Sequence, residues 1–184
     1  MKKELPISRI DRSWSLFLDR DGVINERIVD GYVQNPDQFV LLPGVREAFA
    51  ELRQRFGHIF LVTNQQGIGK GLMSEQDLER VHGYMESELG SPFDRIYHCA
   101  ELAAAHSPFR KPEIGMAEQA RRDFPSVDFS KSVMVGDAGT DMLFGERAGM
   151  YTVFIPGAAE AWPDAGMQCE SLYDFAQRFK KRTR

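Results

Sequence analysis

No run of apolar residues in this chain approaches the roughly 20 needed to cross a bilayer, so a spanning helix and a membrane partner are not expected. The opening residues, MKKELPISRIDRSW, carry the lysines of a secretory signal but lack the apolar stretch that must follow. A cytoplasmic location is therefore expected. Cysteine is scarce. Cys99 and Cys169 are the only two, too few for a disulfide framework and compatible with a reducing compartment. Excess positive charge is missing as well. A net charge of −4 weighs against a nucleic-acid partner held through its phosphates. The one basic cluster, Lys180, Lys181, Arg182 and Arg184, reads as a solvated, frayed chain end. No repeat, low-complexity tract or linker divides the sequence, so residues 1–184 are expected to form a single, monomeric domain. Its core is expected over about 14–157, with a closing helix at about 170–180.

What is present is a soluble composition, 42% hydrophobic and 27% charged, which favours a packed core over disorder. Short apolar runs alternate with helical spacing. Trp14–Leu18 is apolar apart from Ser15 and stops at Asp19. Val45, Phe49, Leu52 and Phe56 follow a helical spacing after Pro43-Gly44, which predicts an amphipathic helix over 45–56. His58–Thr63 reads as a second strand. Ser74 reads as the N-cap of a helix whose inner stripe is Leu78, Val81, Met85 and Leu89. Arg95–Cys99 reads as a third strand, and Met116, Ala120 and Phe124 mark a helix opening near Pro112. A fourth strand at Ser132–Val135, a helix over Thr140–Ala148 and a fifth strand at Tyr151–Ile155 complete the alternation. Leu172, Phe175, Ala176 and Phe179 mark the closing helix. The fold class is therefore α/β, with a mostly parallel sheet covered on both faces. Ligands of such sheets bind outside the carboxyl ends of the strands, and Asp19, Asp21, Thr63, Asn64 and Asp137 all fall there.

Four segments carry candidate chemistry. Asp19-Arg20-Asp21-Gly22 places two carboxylates at one strand end, where they repel unless a cation or proton relieves them; an Asp-Gly turn is also common for purely structural reasons. An EF-hand is excluded, since Val23 stands at a ligand position and Gly22 comes too early. Gly136-Asp137-Ala138-Gly139-Thr140-Asp141 delivers two more acids. Asp19 and Asp137 can supply the one or two carboxylates that Mg²⁺ takes alongside phosphate and water, while Asp141 reads equally as a cap of the next helix. The loop from Thr63 to Gly71 is rich in glycine but is not a P-loop, because Asn64 replaces the first Gly and Gly71 the Ser/Thr. Nor is it a dinucleotide fingerprint, because Leu72 stands at the last Gly position. Its hydroxyl and amides suit a phosphate, and its glycines suit a merely flexible loop. Arg110-Lys111-Pro112 reads either as a solvated pair or as a phosphate neutraliser beside the carboxylates, with Lys111 near a helix N-terminus.

In this order and spacing, DRDGVIN, VTN, RKP and VGDAGTD resemble the four motifs of the haloacid dehalogenase superfamily of phosphatases, over about Leu16 to Ile155. DGYV and TNQQGIGKG bring the resemblance closer to the branch acting on D,D-heptose 1,7-bisphosphate and on histidinol phosphate. The resemblance implies a Rossmann-like three-layer sandwich and a Mg²⁺-dependent phosphoric monoester hydrolase working through an aspartyl phosphate. Asp19 is then the nucleophile and a metal ligand. Asp21 is the general acid and then base, with its backbone carbonyl on the metal. Thr63 and Lys111 hold the phosphoryl group, Asp137 completes the metal site and Asp141 supports it. Asp30, Gly31, Tyr32, Asn64, Gln65, Gln66 and Arg110 are expected to contact substrate.

Two departures stand out. Relatives in that branch carry a zinc loop of Cys-x-His followed by Cys-x-Cys. Here His98-Cys99-Ala100-Glu101 and His106-Ser107-Pro108-Phe109 leave only Cys99 at a ligand position, so no zinc is expected. Ala138 replaces a lysine that often faces the substrate's second phosphate. The segment from Asn25 to Leu41 is too short for a cap domain, so an uncapped pocket is expected, shaped by loops 26–40, 64–73 and 100–110. The expected substrate is a small phosphorylated metabolite, best matched by D-glycero-D-manno-heptose 1,7-bisphosphate, with histidinol phosphate or another sugar phosphate as alternative. Two readings of other classes are a receiver-like signalling module phosphorylated on Asp and an inactive binding protein. The first is disfavoured because Asp19 and Asp21 lie on one strand end, the second because every expected catalytic side chain is present.

Overall fold

Every residue of Ser15–Leu18 is buried, a pattern that only a strand covered on both faces tolerates. The computed structural model describes residues 4–157 and 162–180. In it, β1 (Ser15–Leu18) is the centre of a six-stranded sheet with β2 (His58–Asn64), β3 (Arg95–Cys99), β4 (Ser132–Gly136), β5 (Tyr151–Phe154) and β6 (Met167–Gln168). All neighbours are parallel, in the order β3-β2-β1-β4-β5-β6. The order reverses between β1 and β4, and that switch point is where ligands of doubly wound sheets bind.

Strand alternation divides the core in two. Leu16 and Leu18 point to one face with Ile59, Leu61, Val133 and Val135, against α1 (Val45–Arg55), α2 (Glu75–Leu89) and α5 (Leu172–Lys180). Phe17 points to the other face with Phe60, Val62 and Met134, against α3 (Gly115–Asp123) and α4 (Gly139–Ala148). The result is a three-layer α/β sandwich. α2 begins as its sequence predicts: Ser74 Oγ accepts from Asp77 N at 3.1 Å, and Asp77 Oδ2 accepts from Ser74 N at 2.7 Å.

Two expectations are corrected. The helix expected to open near Pro112 starts at Gly115, because the preceding segment is held in a turn, with Glu113 N donating to Arg110 O and Gly115 N to Pro108 O, both at 2.8 Å. The sheet also gains β6, whose two residues are too few to show any periodicity. Between β1 and α1 the chain makes an excursion with one 3₁₀ turn, Pro36–Gln38, returning to pair Leu41 with Asn25; no separate cap forms there. No described helix is long and apolar enough to cross a membrane. Of the basic tail, Lys181, Arg182 and Arg184 lie outside the described residues.

Candidate active site

The strand register sets the first acid. Leu18 pairs with both Leu61 and Val135, and Asp19 N donates to Val135 O at 3.0 Å, so Asp19 emerges level with the ends of β2 and β4. The chain then turns sharply, with Ile24 N donating to Arg20 O and Gly22 N to Asn25 O, both at 2.8 Å. Gly22 has φ +88°, and a Cβ there would lie 2.0 Å from Asp137 Oδ2. Only glycine permits the acid after β4 to approach the acid turn after β1 this closely.

Three carboxylates converge. Asp19, Asp137 and Asp141 each offer an oxygen within 4.8 Å of the others, and all three are buried. Lys111 Nζ stands 2.6 Å from Asp19 Oδ1 and 2.6 Å from Asp141 Oδ1. Burial pushes Asp19 up to about 6 despite the Lys111 charge, with repulsion from Asp141 and Asp21 adding to the rise. Burial, then repulsion from Asp19, pushes Asp137 up to about 6 against the pull of Arg27. Lys111 is raised although burial opposes its charge, because both carboxylates favour it. Such a cluster holds more negative charge than one lysine relieves. Arg27 supplies a second positive charge: its Nε donates to Asp137 Oδ2 at 3.0 Å and its Nη2 to Asp137 Oδ1 at 2.6 Å. The same Nη2 donates to the Asp21 carbonyl at 3.2 Å.

The Asp21 carboxylate faces the other way. It accepts from Arg20 Nη2 at 3.0 Å, Asn25 Nδ2 at 2.9 Å and Gln65 Nε2 at 3.2 Å. Burial works to raise its pKa, but the Arg20 charge and these hydrogen bonds prevail and lower it. Gln65 Nε2 also donates to Thr63 Oγ1 at 2.8 Å, which leaves the threonine proton free to be donated elsewhere. Arg20 is fully buried and closes the arrangement at His82 Nε2, 3.2 Å away.

His82 is pushed down to about 3, first by burial and then by Arg20. In the unfolded chain it titrates near 6.5, so below that pH the unfolded state binds the extra proton and the folded state does not. Folding stability is therefore lost as pH falls from about 6.5 towards 3, by up to about 1.4 kcal/mol per pH unit. A His82→Gln chain keeps an acceptor for Arg20 without titrating. Its urea midpoint is expected to fall less steeply than that of the parent between pH 6 and 4; equal slopes would contradict this account.

A cavity of about 600 Å³ opens above these groups, lined by Asp19, Asp21, Thr63, Lys111 and Asp141. Of the residues expected to meet substrate, Asp30, Gly31, Tyr32, Asn64, Gln66 and Arg110 line it. Gln65 does not, which corrects its expected place: it is fully buried below, bonded to Thr63 and Asp21. Lys111 precedes α3, as expected, but is not held by that helix. Asn64 holds it instead, its Oδ1 accepting from Lys111 N at 3.0 Å and its Nδ2 donating to Lys111 O at 3.1 Å. Asp141 does cap α4, accepting from Ala138 N at 3.1 Å, while its other oxygen meets Lys111. Loops 26–40 and 64–73 shape the cavity as expected; loop 100–110 contributes Arg110, and Ala138 after β4 and Thr140 in the first turn of α4 also line it.

Sequence reasoning missed Arg20, Asn25, Arg27, Lys70 and His82. Lys70 lines the cavity with its Nζ donating to Tyr32 Oη at 3.1 Å, and a lysine standing between Gly69 and Gly71 was a signal for it. Nothing local distinguishes Arg27 from a solvated charge.

Comparison with known proteins accords with this geometry. Residues 108–164 match the family described as HAD-hydrolase-like. The D-glycero-alpha-D-manno-heptose-1,7-bisphosphate 7-phosphatase of Mycobacterium bovis is 35% identical over 175 residues, covering 91% of this chain and 92% of that one. The chain belongs to the haloacid dehalogenase-like phosphatases. Within that family, the D-glycero-beta-D-manno-heptose-1,7-bisphosphate 7-phosphatase of Vibrio cholerae is 42% identical over 149 residues, covering 75% of this chain and 78% of that one. The crystal structure of D,D-heptose 1,7-bisphosphate phosphatase from B. bronchiseptica, complexed with magnesium and phosphate, superposes with a TM-score of 0.83. It is 29% identical, with 92% of this chain and 99% of that one covered.

Proposed function

We propose that this chain removes the 7-phosphate of a D-glycero-D-manno-heptose 1,7-bisphosphate through a phosphorylated Asp19, with Mg²⁺ as cofactor. The observation that carries the reading is the buried Lys111–Asp19 contact of 2.6 Å at the switch point, in a chain whose relatives carry that activity in their names. The donor set fits the metal. The carboxylates of Asp19 and Asp137 and the Asp21 carbonyl are hard oxygens, and the crowded acids call for a cation. When bound, magnesium neutralises charge on the phosphoryl oxygens.

Phosphate monoesters hydrolyse so slowly that enzymes accelerate them by up to about 10²¹-fold, and positioning with charge neutralisation supplies most of this. Asp19 attacks phosphorus, and the bond to the sugar oxygen breaks as the aspartyl phosphate forms. Lys111 keeps the attacking carboxylate ionised and donates to the transferring oxygens. Thr63, its oxygen already satisfied by Gln65, turns its proton to the same group. Asp21 protonates the departing sugar oxygen and then takes a proton from the water that hydrolyses the acyl phosphate. Arg110, Lys70 and Tyr32 on the cavity wall suit the substrate's remaining phosphate and hydroxyls, where Ala138 offers no charge. The reading includes a cytoplasmic monomer without zinc, since residues 98–109 offer a single thiolate, Cys99.

The receiver-like alternative is disfavoured by the sheet, because such domains have the strand order 2-1-3-4-5 and this one runs 3-2-1-4-5-6. The test is release of inorganic phosphate from both anomers of heptose 1,7-bisphosphate, other sugar phosphates and histidinol phosphate, with Mg²⁺. The highest kcat/KM is expected for a heptose bisphosphate, with one phosphate released per molecule. A higher value for histidinol phosphate would replace the substrate, and a single phosphorylation without turnover would sink the enzyme itself.

A further inference from the structure

We infer that Arg27 is a built-in competitor for the metal position, a cationic side chain that magnesium must displace before Asp19 and Asp137 can share an ion. The inference rests on the metal site proposed above. Two of the three groups assigned to the metal, the Asp137 carboxylate through its Oδ1 and the Asp21 carbonyl, converge on a single nitrogen, Arg27 Nη2, at 2.6 and 3.2 Å. Magnesium takes oxygen ligands at short range, about 2.0–2.1 Å, so an ion held by both groups would compete with this nitrogen for them. Arg27 Nε occupies the other Asp137 oxygen at 3.0 Å, completing a two-pronged grip on the carboxylate. One cation excludes the other.

The cavities say the same. Arg27 lines both the 600 Å³ cavity holding Asp19 and Asp21 and a neighbouring one of about 740 Å³, and Asp137 lines only the second. Arg27 is thus shared by the two cavities on which Asp137 and its partner acids open. Arg27 is also free to leave. Its side chain is 45% exposed, whereas that of Asp137 is 4% exposed. It belongs to the irregular excursion after β1, where Val29 is 76% exposed and Asp30 has φ +53°. Lys111 differs: it is 2% exposed and fixed by Asn64, Asp19 and Asp141. The two cations therefore divide the work, Lys111 as a permanent partner and Arg27 as a displaceable one.

Magnesium affinity of full-length, metal-stripped protein, measured by titration calorimetry, tests this. Arg27→Gln removes the competing charge and is expected to tighten Mg²⁺ binding about tenfold, the scale of one charge-assisted, partly exposed pair. Arg27→Lys keeps the charge but not the planar fork, and an intermediate constant is expected. A second readout is the Arg27 Nε–H resonance, assigned by its loss in Arg27→Gln, which should shift when Mg²⁺ is added to the parent. Equal or weaker binding by Arg27→Gln, or a resonance that ignores the ion, overturns the inference and leaves the metal site standing. Failure of parent and variant alike to bind Mg²⁺ overturns the metal site and the inference with it.

Discussion

Asp19→Asn is expected to lower kcat for the best sugar phosphate by roughly 10⁴- to 10⁶-fold, the loss typical of removing a covalent nucleophile. An amide cannot present the ionised oxygen that attacks phosphorus, and no second carboxylate stands in its place: Asp137 is gripped by Arg27, Asp141 by Lys111 and the Ala138 amide, and Asp21 by Arg20, Asn25 and Gln65. The same change is expected to leave the fold intact. Asp19 lies with Asp137 and Asp141 in a cluster whose oxygens are within 4.8 Å of one another, and removing one negative charge relieves repulsion while Lys111 retains Asp141. Activity and stability should therefore move apart, with a thermal midpoint at or above that of the parent, as happens where a strained site is relaxed. The checks are steady-state phosphate release and a thermal melt on the same preparation. Residual turnover within tenfold of the parent would remove Asp19 from the chemistry.

Much of this arrangement was legible because the strands are short, apolar and covered on both faces. Leu16–Leu18, Phe60–Val62 and Val133–Val135 are buried without exception, so each run announces a strand and its first polar neighbour announces the strand's end. Asp19, Thr63 and Asp137 are those neighbours, which is why the polar residues gathered at this end of the sheet are readable from local pattern. α2 was legible for a different reason, a local capping pair at Ser74 and Asp77 that needs no tertiary context.

The residues that escaped are those whose environment comes from distant parts of the chain. Arg20 ranks first among the fully buried large side chains, yet an arginine in sequence reads as surface because charged residues are almost never buried unpaired. Its partners His82 and Gln65 lie 62 and 45 positions away. Arg27 is 110 positions from Asp137, and the family resemblance places Gln65 at the substrate, whereas its side chain turns inward beneath the cavity. Strand ends are readable from local pattern; counter-ions that cross the sheet are not.

Asp21→Asn separates the two halves of the reaction. With an alkyl phosphate such as a sugar ester, the leaving oxygen is strongly basic and needs a proton as it departs, so loss of the acid is expected to cost about 10²- to 10⁴-fold in kcat. With an aryl phosphate the leaving group departs unaided, and phosphorylation of Asp19 should survive. The acyl phosphate then meets a water that no carboxylate activates. The expected result is a burst of one phenol per chain, followed by a stall, read by stopped-flow absorbance and by phosphate retained on the protein. The observed geometry explains why the second half is the more exposed to this change. Asp21 is held ionised by Arg20, Asn25 and Gln65, its pKa lowered by them against the effect of burial, and an ionised carboxylate is already the base that water needs. To serve as acid it must turn from Arg20 and gain a proton, and its side chain, 22% exposed at the cavity wall, has room to do so. Asparagine keeps one acceptor oxygen for Arg20, faces the other donors with an NH2 group and loses both functions. Sustained turnover of alkyl and aryl phosphates at rates near the parent's would show that Asp21 shuttles no proton, and the two-step reaction built on Asp19 would need another base.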